Sequence, residues 1–346
     1  MTSARTDTPA RGGLAAVLIV RDEARCIVRC LDSVAPWVDR MLVLDTGSTD
    51  DTVALARGCG AEVHHLAWPD DFSAARNHAL DLAGADWNLI VDADNWIASG
   101  GEALRAFCSG PLRLGQVCIL SDFDGDGGRT DESRSWVTRL LPRGVRYQGR
   151  VHEQAISDLP RERLDLHYGH DGYGDDRLAG KSARNRPLLL RELQDRPDDP
   201  YVLYQLGADA EGRDAHAEAI DYYADALARS APGANWRHEL VVRQLHCLGQ
   251  AGRIDEALAL AQAEMERFAQ SPDFFFTLGN LLLDRAMADP SQAVDHWLPL
   301  AVSAWERCLE IGERPDLEGS VIGRGSHLAQ HNLDVVRGQL ALLGGD

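Results

Sequence analysis

Short apolar runs alternate with segments of helical periodicity over the first 92 residues, and this alternation limits the fold more than any other feature. Four runs rich in Val, Ile or Leu are predicted to be strands, at residues 14–20, 40–45, 61–66 and 87–92. The segments between them, at 24–34, 48–60 and 73–84, carry apolar residues at helical spacing and Ser, Asp or Gly at their ends. Alternating strands and helices predict a Rossmann-like α/β fold, with a mainly parallel sheet covered on both faces.

Polar residues follow three of these predicted strands. They are Arg21, Asp22 and Glu23 after the first strand, Asp45 at the end of the second, and Asp92 and Asp94, on either side of Ala93, at the end of the fourth. Ligands of open parallel sheets bind beyond the carboxyl ends of the strands, so we expect these residues to share one crevice. Like charges gathered there repel one another, and a divalent cation with hydrogen-bonding ligand groups is the usual compensation.

Composition excludes several classes of protein. The formal net charge of −19 argues against a general nucleic-acid binder, which needs clustered Lys and Arg. No window approaches the roughly 18 apolar residues of a membrane span, and residues 1–13 are polar and predicted to be disordered. Seven scattered cysteines without a Cys-x-x-Cys pair fit a reducing compartment, so we expect a soluble cytoplasmic protein. Cys26 and Cys30 could be metal ligands, but small buried apolar residues are the favoured interpretation.

The strand pattern stops after Gly180, and the rest of the chain is predicted to be helical. Residues 179–197 are predicted to form a linker helix, and 198–346 a tetratricopeptide-like repeat domain. The residues at packing positions of the first repeat are Leu203, Leu206, Gly207, Ala219, Tyr223 and Ala226. Two degenerate copies follow, the last interrupted by an insertion. Such repeats present surfaces to peptides or proteins, and a structural prop or dimer contact remains the alternative.

Four segments of the first half resemble the family 2 glycosyltransferases, which have a GT-A fold and use nucleotide-diphosphate sugars. They are "VLIVRDEARCIVRCLDSV", "VLDTGSTDDTVALA", "DFSAARNHALDLA" and "LIVDADNW", in that order along the chain. The resemblance extends over residues 14–178, which are therefore predicted to be the nucleotide-sugar-binding catalytic domain. Four spaced segments are far more specific than a lone Asp-x-Asp pair.

The resemblance implies a role for each strand-end residue. Asp94 is the expected direct ligand of Mn²⁺ or Mg²⁺, and Asp92 is expected to contact the ribose or a water on the metal. Asp45 is expected to accept a hydrogen bond from a uracil ring, and Arg76 and Asn77 to lie close to the nucleotide. Arg21, Asp22, Glu23 and Ala93 complete the predicted nucleotide-sugar site, although Asp22 and Glu23 could equally be acids at a helix N-terminus. Many relatives have an acid where this chain has Asn95, which implies weaker metal binding.

The acceptor side resembles the same family through a Val-His-Glu block and a Leu-x-His-Tyr-Gly block. Residues 147–156 are predicted to form one further strand, which carries Glu153. Glu153 is the predicted general base, with Asp122 in reserve. His167 is a candidate third metal or diphosphate contact, with a packed or surface histidine as the alternative. Asp122, Asp124 and Asp126 also imitate the start of an EF-hand loop, but a solvated hairpin loop is favoured because no helix pair flanks them.

Both halves together resemble bacterial transferases that glycosylate peptide side chains, including cysteine thiols of glycocin bacteriocins. That resemblance implies metal-dependent, inverting transfer from a UDP-sugar to a Cys, Ser or Thr side chain, with a possible homodimer through the repeats. One alternative keeps the chemistry but has a lipid-linked or envelope glycan as acceptor. Another is an inactive nucleotide-sugar-binding scaffold with protein-binding repeats.

Overall fold

The computed structural model describes residues 13–125, 129–170 and 175–343, with the side chains of these ranges except 121–134, 175–183 and 342–343. Proximity of Cα atoms divides the chain into two compact units, residues 1–181 and 182–346. The predicted disordered N-terminus lies almost entirely outside the described residues. Within them, no helix combines the length and apolar character needed to cross a bilayer.

The first unit alternates strands and helices through its first part and then becomes rich in strands. Its strands are β1 (Leu14–Val20), β2 (Arg40–Asp45), β3 (Glu62–His65), β4 (Trp87–Ile90), β5 (Asn95–Ser99), β6 (Leu114–Gly125), β7 (Arg129–Pro142), β8 (Arg146–Gln148), β9 (Gln154–Ile156) and β10 (Arg161–His170). Its helices are α1 (Ile27–Val34), α2 (Thr52–Gly58), α3 (Phe72–Ala83) and α4 (Ala103–Cys108).

Eight of the described strands form one sheet, in the order β3-β2-β1-β4-β7-β6-β10-β5. The strands β3, β2, β1 and β4 are parallel to one another. The next two neighbours alternate in direction, because β7 is antiparallel to both β4 and β6. The strand β10 is parallel to β6 and antiparallel to β5, while β8 and β9 form a separate two-stranded sheet.

Successive side chains of β1 point to opposite faces of the sheet. Because these side chains are apolar, both faces are covered by helices. Leu14, Ala16 and Leu18 pack into a core with α1, whereas Ala15 and Val17 pack into a second core with α3. All five side chains are almost fully buried. An apolar strand buried on both faces is typical of a central parallel strand, and the predicted α/β class follows from it.

Three segments differ from the sequence-based expectation. The segment 95–99 forms β5, although the sequence pattern did not predict a strand there. The segment 147–156 was expected to be one strand, but Gly149 adopts a φ of 108° and the segment folds into the β8–β9 hairpin. The strands β6 and β7 continue through the predicted loop, since Asp122 pairs in register with Glu132. Flanking strands agree with the favoured hairpin and not with an EF-hand.

The second unit is helical in its described residues, as predicted. Its helices, with α5 beginning in the first unit, are α5 (Asp175–Asp195), α6 (Pro200–Glu211), α7 (His216–Arg229), α8 (Arg237–Gln250), α9 (Ile254–Glu264), α10 (Pro272–Ala288), α11 (Leu298–Ile311) and α12 (His327–Leu343). Two helices begin with the same local signal, a capping residue followed by proline. Asp199 accepts from the N–H of Tyr201 before α6, and Ser271 accepts from the N–H of Phe274 before α10.

Helix pairs in this unit approach closely where one helix carries glycine. A Cβ atom on Gly207 of α6 would lie 2.4 Å from the ring of Tyr223 on α7. A Cβ atom on Gly279 of α10 would lie 2.5 Å from the ring of Trp305 on α11. The glycine in each pair therefore leaves the space that a buried aromatic ring fills, as the repeat pattern predicts for Gly207.

The seven cysteines are all unbonded. Burial, with help from Glu23, raises the pKa of Cys26 to about 12, and burial also raises the pKa of Cys30 well above its ordinary value. Both are therefore neutral thiols near pH 7. Both side chains are buried in the core, which agrees with the apolar interpretation of this pair.

Candidate functional site

The loops that follow β1 and β2 are joined to each other by side-chain hydrogen bonds. The N–H of Asp22 donates to Ser48 Oγ (2.9 Å), and the N–H of Glu23 donates to Thr52 Oγ1 (2.7 Å). The carboxylate of Asp22 accepts from the N–H of Thr49 (2.7 Å). Asp22 itself has a φ of 54°, a conformation that aspartate tolerates better than most residues. Asp22 and Glu23 therefore hold the two loops in register at the carboxyl edge of the sheet.

Asp45 lies at the end of β2 and is 4% exposed. Its carboxylate accepts from the N–H of Ser48 (3.1 Å) and of Gly47 (3.3 Å) and lies 3.1 Å from Nδ1 of His65. Burial alone would raise the pKa of Asp45, but the hydrogen bonds from Ser48, His65 and Gly47 outweigh it and lower the pKa. Asp45 is thus an ionised acceptor whose own loop fixes its orientation.

Asp92 follows β4 and binds two arginines, one through each oxygen. Arg76 Nη2 donates to Oδ1 (2.8 Å), and Arg139 Nη2 donates to Oδ2 (2.5 Å). Arg76 also donates through Nε to Oε1 of Glu153. Burial opposes the charge of Arg76, but Glu153 and Asp92 outweigh this and raise its pKa, so the guanidinium stays charged. Glu153, Arg76, Asp92 and Arg139 form one continuous ion-paired network.

Asn77 fixes the backbone of Tyr147 beside this network. Its side-chain Nδ2 donates to the carbonyl of Tyr147 (2.9 Å), and its Oδ1 accepts from the N–H of Tyr147 (2.8 Å). The guanidinium of Arg76 lies over the Tyr147 ring, 5.6 Å from its centroid. The structure therefore gives Asn77 a direct contact to β8, and any contribution to nucleotide binding would pass through Tyr147 and Arg76.

Asp94 lies beside His170 and not beside His167. Nδ1 of His170 is 3.8 Å from Asp94 Oδ1 and 3.2 Å from Asn95 Oδ1. His167 lies at the other end of the β5–β10 pairing, opposite Ser99, whose Oγ is 3.3 Å from its Nδ1. Among the described residues, no three His, Cys, Asp or Glu side chains are arranged to hold a metal ion. The predicted set of Asp92, Asp94 and His167 is therefore not assembled as a cluster.

Three further residues were predicted to belong to the site: Arg21, Ala93 and Asp122. The side chain of Arg21 is 56% exposed and lies 3.8 Å from Asp22. Ala93 is buried in the turn between Asp92 and Asp94. The backbone of Asp122 lies in β6, and its side chain lies outside what the structure describes.

Sequence reasoning missed three residues of this site: Arg139, Tyr147 and His170. Arg139 had a usable signal, because it is the one charged residue in the otherwise mostly apolar segment "WVTRLLP". His170 lies three residues after the predicted His167, and only the β5–β10 register shows which of the two lies beside Asp94. The hydroxyl of Tyr147 is buried without a hydrogen-bond partner among the described residues, which the sequence could not reveal.

A Rossmann-like sheet with polar groups gathered at the carboxyl ends of its strands is typical of ligand-binding α/β domains. Residues 15–152 match the model of glycosyl transferase family 2, so the chain carries a family 2 glycosyltransferase domain. The predicted α/β fold class and the predicted family of the first half are thereby confirmed.

Two proteins of similar sequence match both halves of the chain. A TPR repeat-containing protein of Synechococcus elongatus is 34% identical over 264 residues, which cover 72% of this chain and 65% of that protein. The SPbeta prophage-derived glycosyltransferase SunS of Bacillus subtilis is 27% identical over 346 residues, which cover 89% of this chain and 81% of SunS. The chain therefore spans just under two thirds of the length of the first relative.

A solved structure of glucosyl-3-phosphoglycerate synthase from Mycobacterium tuberculosis, with Mn²⁺, UDP and glucosyl-3-phosphoglycerate, overlaps 31% of this chain and 43% of that chain. The identity is 24% and the TM-score is 0.28. So small an overlap supports no statement about the site of this chain.

Proposed function

We propose that this chain is a metal-dependent, inverting glycosyltransferase that moves a sugar from a UDP-sugar to a peptide or protein side chain. The observation that carries the proposal is the network of Glu153, Arg76, Asp92 and Arg139, next to Asp94 at the carboxyl edge of the sheet. It combines acceptors for a nucleoside, cations that balance the acids, and a buried carboxylate for proton transfer.

Asp45 and Arg76 would bind the nucleotide part of the donor. A carboxylate offers about four acceptor positions, so Asp45 can take a ring N–H of uracil in addition to its loop contacts. Arg76 is charged and nearly buried, and a cation in that position compensates the phosphates as well as the acids. The fixed loop contacts of Asp45 mean that little orientation would be lost on binding.

Asp94 is the best candidate to hold Mn²⁺ or Mg²⁺, with His170 beside it. Both oxygens of Asp92 bind arginines, so Asp92 is less suitable than Asp94 as a direct ligand of the metal ion. Mg²⁺ usually keeps several waters and is held by one or two carboxylates together with substrate phosphates. A site with one well-placed carboxylate therefore fits such an ion when the diphosphate supplies further oxygens. The ion would stabilise the charge that develops on the departing diphosphate.

Glu153 would act as the general base. As the acceptor oxygen or sulfur bonds to the anomeric carbon, its proton moves to the Glu153 carboxylate, and the bond from that carbon to the UDP oxygen breaks. UDP leaves with the electron pair, and attack opposite the leaving group inverts the configuration. Arg76 fixes Glu153 through Oε1 and so fixes the direction from which the base approaches.

Two observations support a peptide or protein as acceptor. The second unit consists of paired helices of the kind that present surfaces to peptides. A relative that covers 72% of this chain carries the name of a TPR repeat-containing protein. The homodimer expected from the resemblance stays a prediction.

Release of UDP from a panel of UDP-sugars, with Mn²⁺ and with excess chelator, tests the chemistry. We expect release that depends on metal and is lost in Asp94→Ala. Asp81→Ala is the matched control, because Asp81 lies on α3 with its side chain 59% exposed, bonded to Arg146. Mass spectrometry of Cys-, Ser- and Thr-containing peptides after incubation tests the acceptor.

Equal rates in excess chelator would contradict the metal assignment. No metal-stimulated release from any UDP-sugar would favour the scaffold alternative. Release of UDP without modification of any peptide, but with transfer to a lipid-linked glycan, would contradict the acceptor assignment alone.

A further inference from the structure

Arg139 lies on the opposite side of Asp92 from Arg76 and belongs to a different element. Arg76 comes from α3, whereas Arg139 comes from β7, the strand that pairs with β4. The side chains of Arg76 and Arg139 are 7% and 12% exposed. Asp92 is thus held between a helix and a strand, one oxygen to each.

Net stability is a poor explanation for a largely buried ion-paired network that includes Arg139. Its Nε is buried and has no hydrogen-bond partner among the described residues, so part of the desolvation cost of the guanidinium is not compensated. Replacing a whole buried ion pair by apolar groups of similar size is often neutral or stabilising, whereas removing one partner leaves the other charge uncompensated and is destabilising. A costly cation at this position is better explained by what it does to Asp92.

Arg139 restricts the Asp92 carboxylate further than Arg76 does. The terminal torsion of an aspartate is broad, so bonds to both oxygens define the plane of the carboxylate better than a bond to one. Arg76 also binds Glu153, so it couples Asp92 to that residue, whereas Arg139 belongs to the sheet. Arg139 fixes the second oxygen to the sheet and so fixes the plane of the carboxylate.

We propose that Arg139 is a positioning residue that sets the orientation of the Asp92 carboxylate for contact with the sugar nucleotide. The inference rests on the proposed function for the identity of the ligand, and on the ion pairs alone for the orientation of Asp92. A contact from Asp92 to the ribose would be remote from the bonds that change, so loss of orientation should affect donor binding more than turnover.

The kinetic test compares Arg139→Met, Arg139→Lys and the wild-type full chain with a UDP-sugar and Mn²⁺. We expect the Met variant to raise the KM for the donor and the Kd for UDP by roughly 10- to 100-fold, which is typical when a group that orients a ligand-binding side chain is removed. The kcat should change little, and the thermal midpoint should fall, because Asp92 and Glu153 then share a single arginine. The Lys variant should recover part of the loss, because it keeps the charge without the planar guanidinium.

Two further variants separate positioning from general damage. Arg105→Met removes an exposed arginine that pairs with Asp39, and it should leave both constants unchanged. In an Asp92→Asn background, Arg139→Met should add little, because the group that it positions is already altered. Additive effects of the two substitutions, or a Met variant that behaves like Arg105→Met, would overturn the proposal.

A crystal structure of Arg139→Met gives a readout that does not depend on the donor. We expect the Asp92 carboxylate to rotate or to occupy two orientations, while Glu153 keeps its bond to Arg76. An unchanged Asp92 would overturn the proposal even if the enzyme transfers sugar. A rotated Asp92 in a chain that releases no UDP would instead support the positioning role and contradict the proposed function.

Discussion

The aspartates at the strand ends are the same residue type in different environments. The environment decides what each carboxylate can do. The carboxylate of Asp45 is fixed by its own loop, that of Asp92 by two arginines, and that of Asp22 by the neighbouring loop. Asp94 lies beside an imidazole, and its side chain is 20% exposed. A pattern of acids in the sequence cannot separate these cases, because the partners come from distant positions in the chain.

The lowered pKa of Asp45 leads to a pH prediction. A group whose folded pKa lies below its unfolded value adds stability at pH above the unfolded pKa, about 3.9 for aspartate, and this is lost as pH falls through the folded pKa. The thermal midpoint of the wild type should therefore exceed that of Asp45→Asn at pH 7, and the difference should shrink toward pH 3. Thermal denaturation at several pH values measures it, and a difference that grows on acidification would contradict the assignment.

Glu153→Gln tests the base. Glutamine keeps an oxygen for Arg76 but cannot take the acceptor's proton, so transfer should fall by roughly 10²- to 10⁴-fold. Binding of UDP, measured by calorimetry, should change much less. If binding falls as far as transfer, Glu153 belongs to the nucleotide site and the base lies elsewhere.

At the scale of the helices and strands, small residues at helix contacts determine how the helices of the second unit pack. The Tyr223 ring is fully buried against Gly207, and its hydroxyl donates to Glu211 (2.6 Å). The ring therefore has contacts on more than one side and little freedom to move. The repeat pattern in the sequence marks the glycine, but only the packed helices show which ring it accommodates.

Gly207→Ala should destabilise the chain. The added Cβ would lie 2.4 Å from the ring, and overpacking costs about 1–3 kcal/mol, against a gain of about 1 kcal/mol from helix propensity. We expect a net loss of up to about 2 kcal/mol in the free energy of unfolding, measured by denaturant titration.

Gly338→Ala on α12 is the matched control for this prediction. A Cβ atom there would meet nothing within 4 Å, so the propensity gain should remain and stability should rise slightly. A Gly207→Ala protein as stable as Gly338→Ala would contradict the packing argument.

At the scale of the whole molecule, the negative net charge of the chain contrasts with the positive side chains at the candidate site. The chain carries a formal charge of −19, yet two arginines are buried against acids at the candidate site. The described residues hold no preassembled cluster of three metal ligands. A divalent ion should therefore bind weakly by itself and more tightly once a diphosphate adds its oxygens.

Coupling between metal and nucleotide should appear in the stability of the full chain. Because linkage is reciprocal, UDP and Mn²⁺ together should raise the thermal midpoint more than the sum of their separate effects. A ligand at 100 times its Kd adds about 2.7 kcal/mol. The same titration with Asp94→Ala should lose the coupling while UDP alone still binds. Strictly additive shifts in the wild type would contradict a shared site.

The sequence by itself determined the order and type of most elements, the α/β class, the helical second half and the family of the first half. These follow from local periodicity, capping signals and spaced motifs, which are properties of neighbouring residues. Tertiary structure decided which strand-end groups meet. Arg76, Arg139 and Glu153 come from three separate segments, and the choice between His167 and His170 beside Asp94 depends on the β5–β10 register. Pairing between distant strands depends on the packing of whole faces, and no local pattern in the chain specifies it.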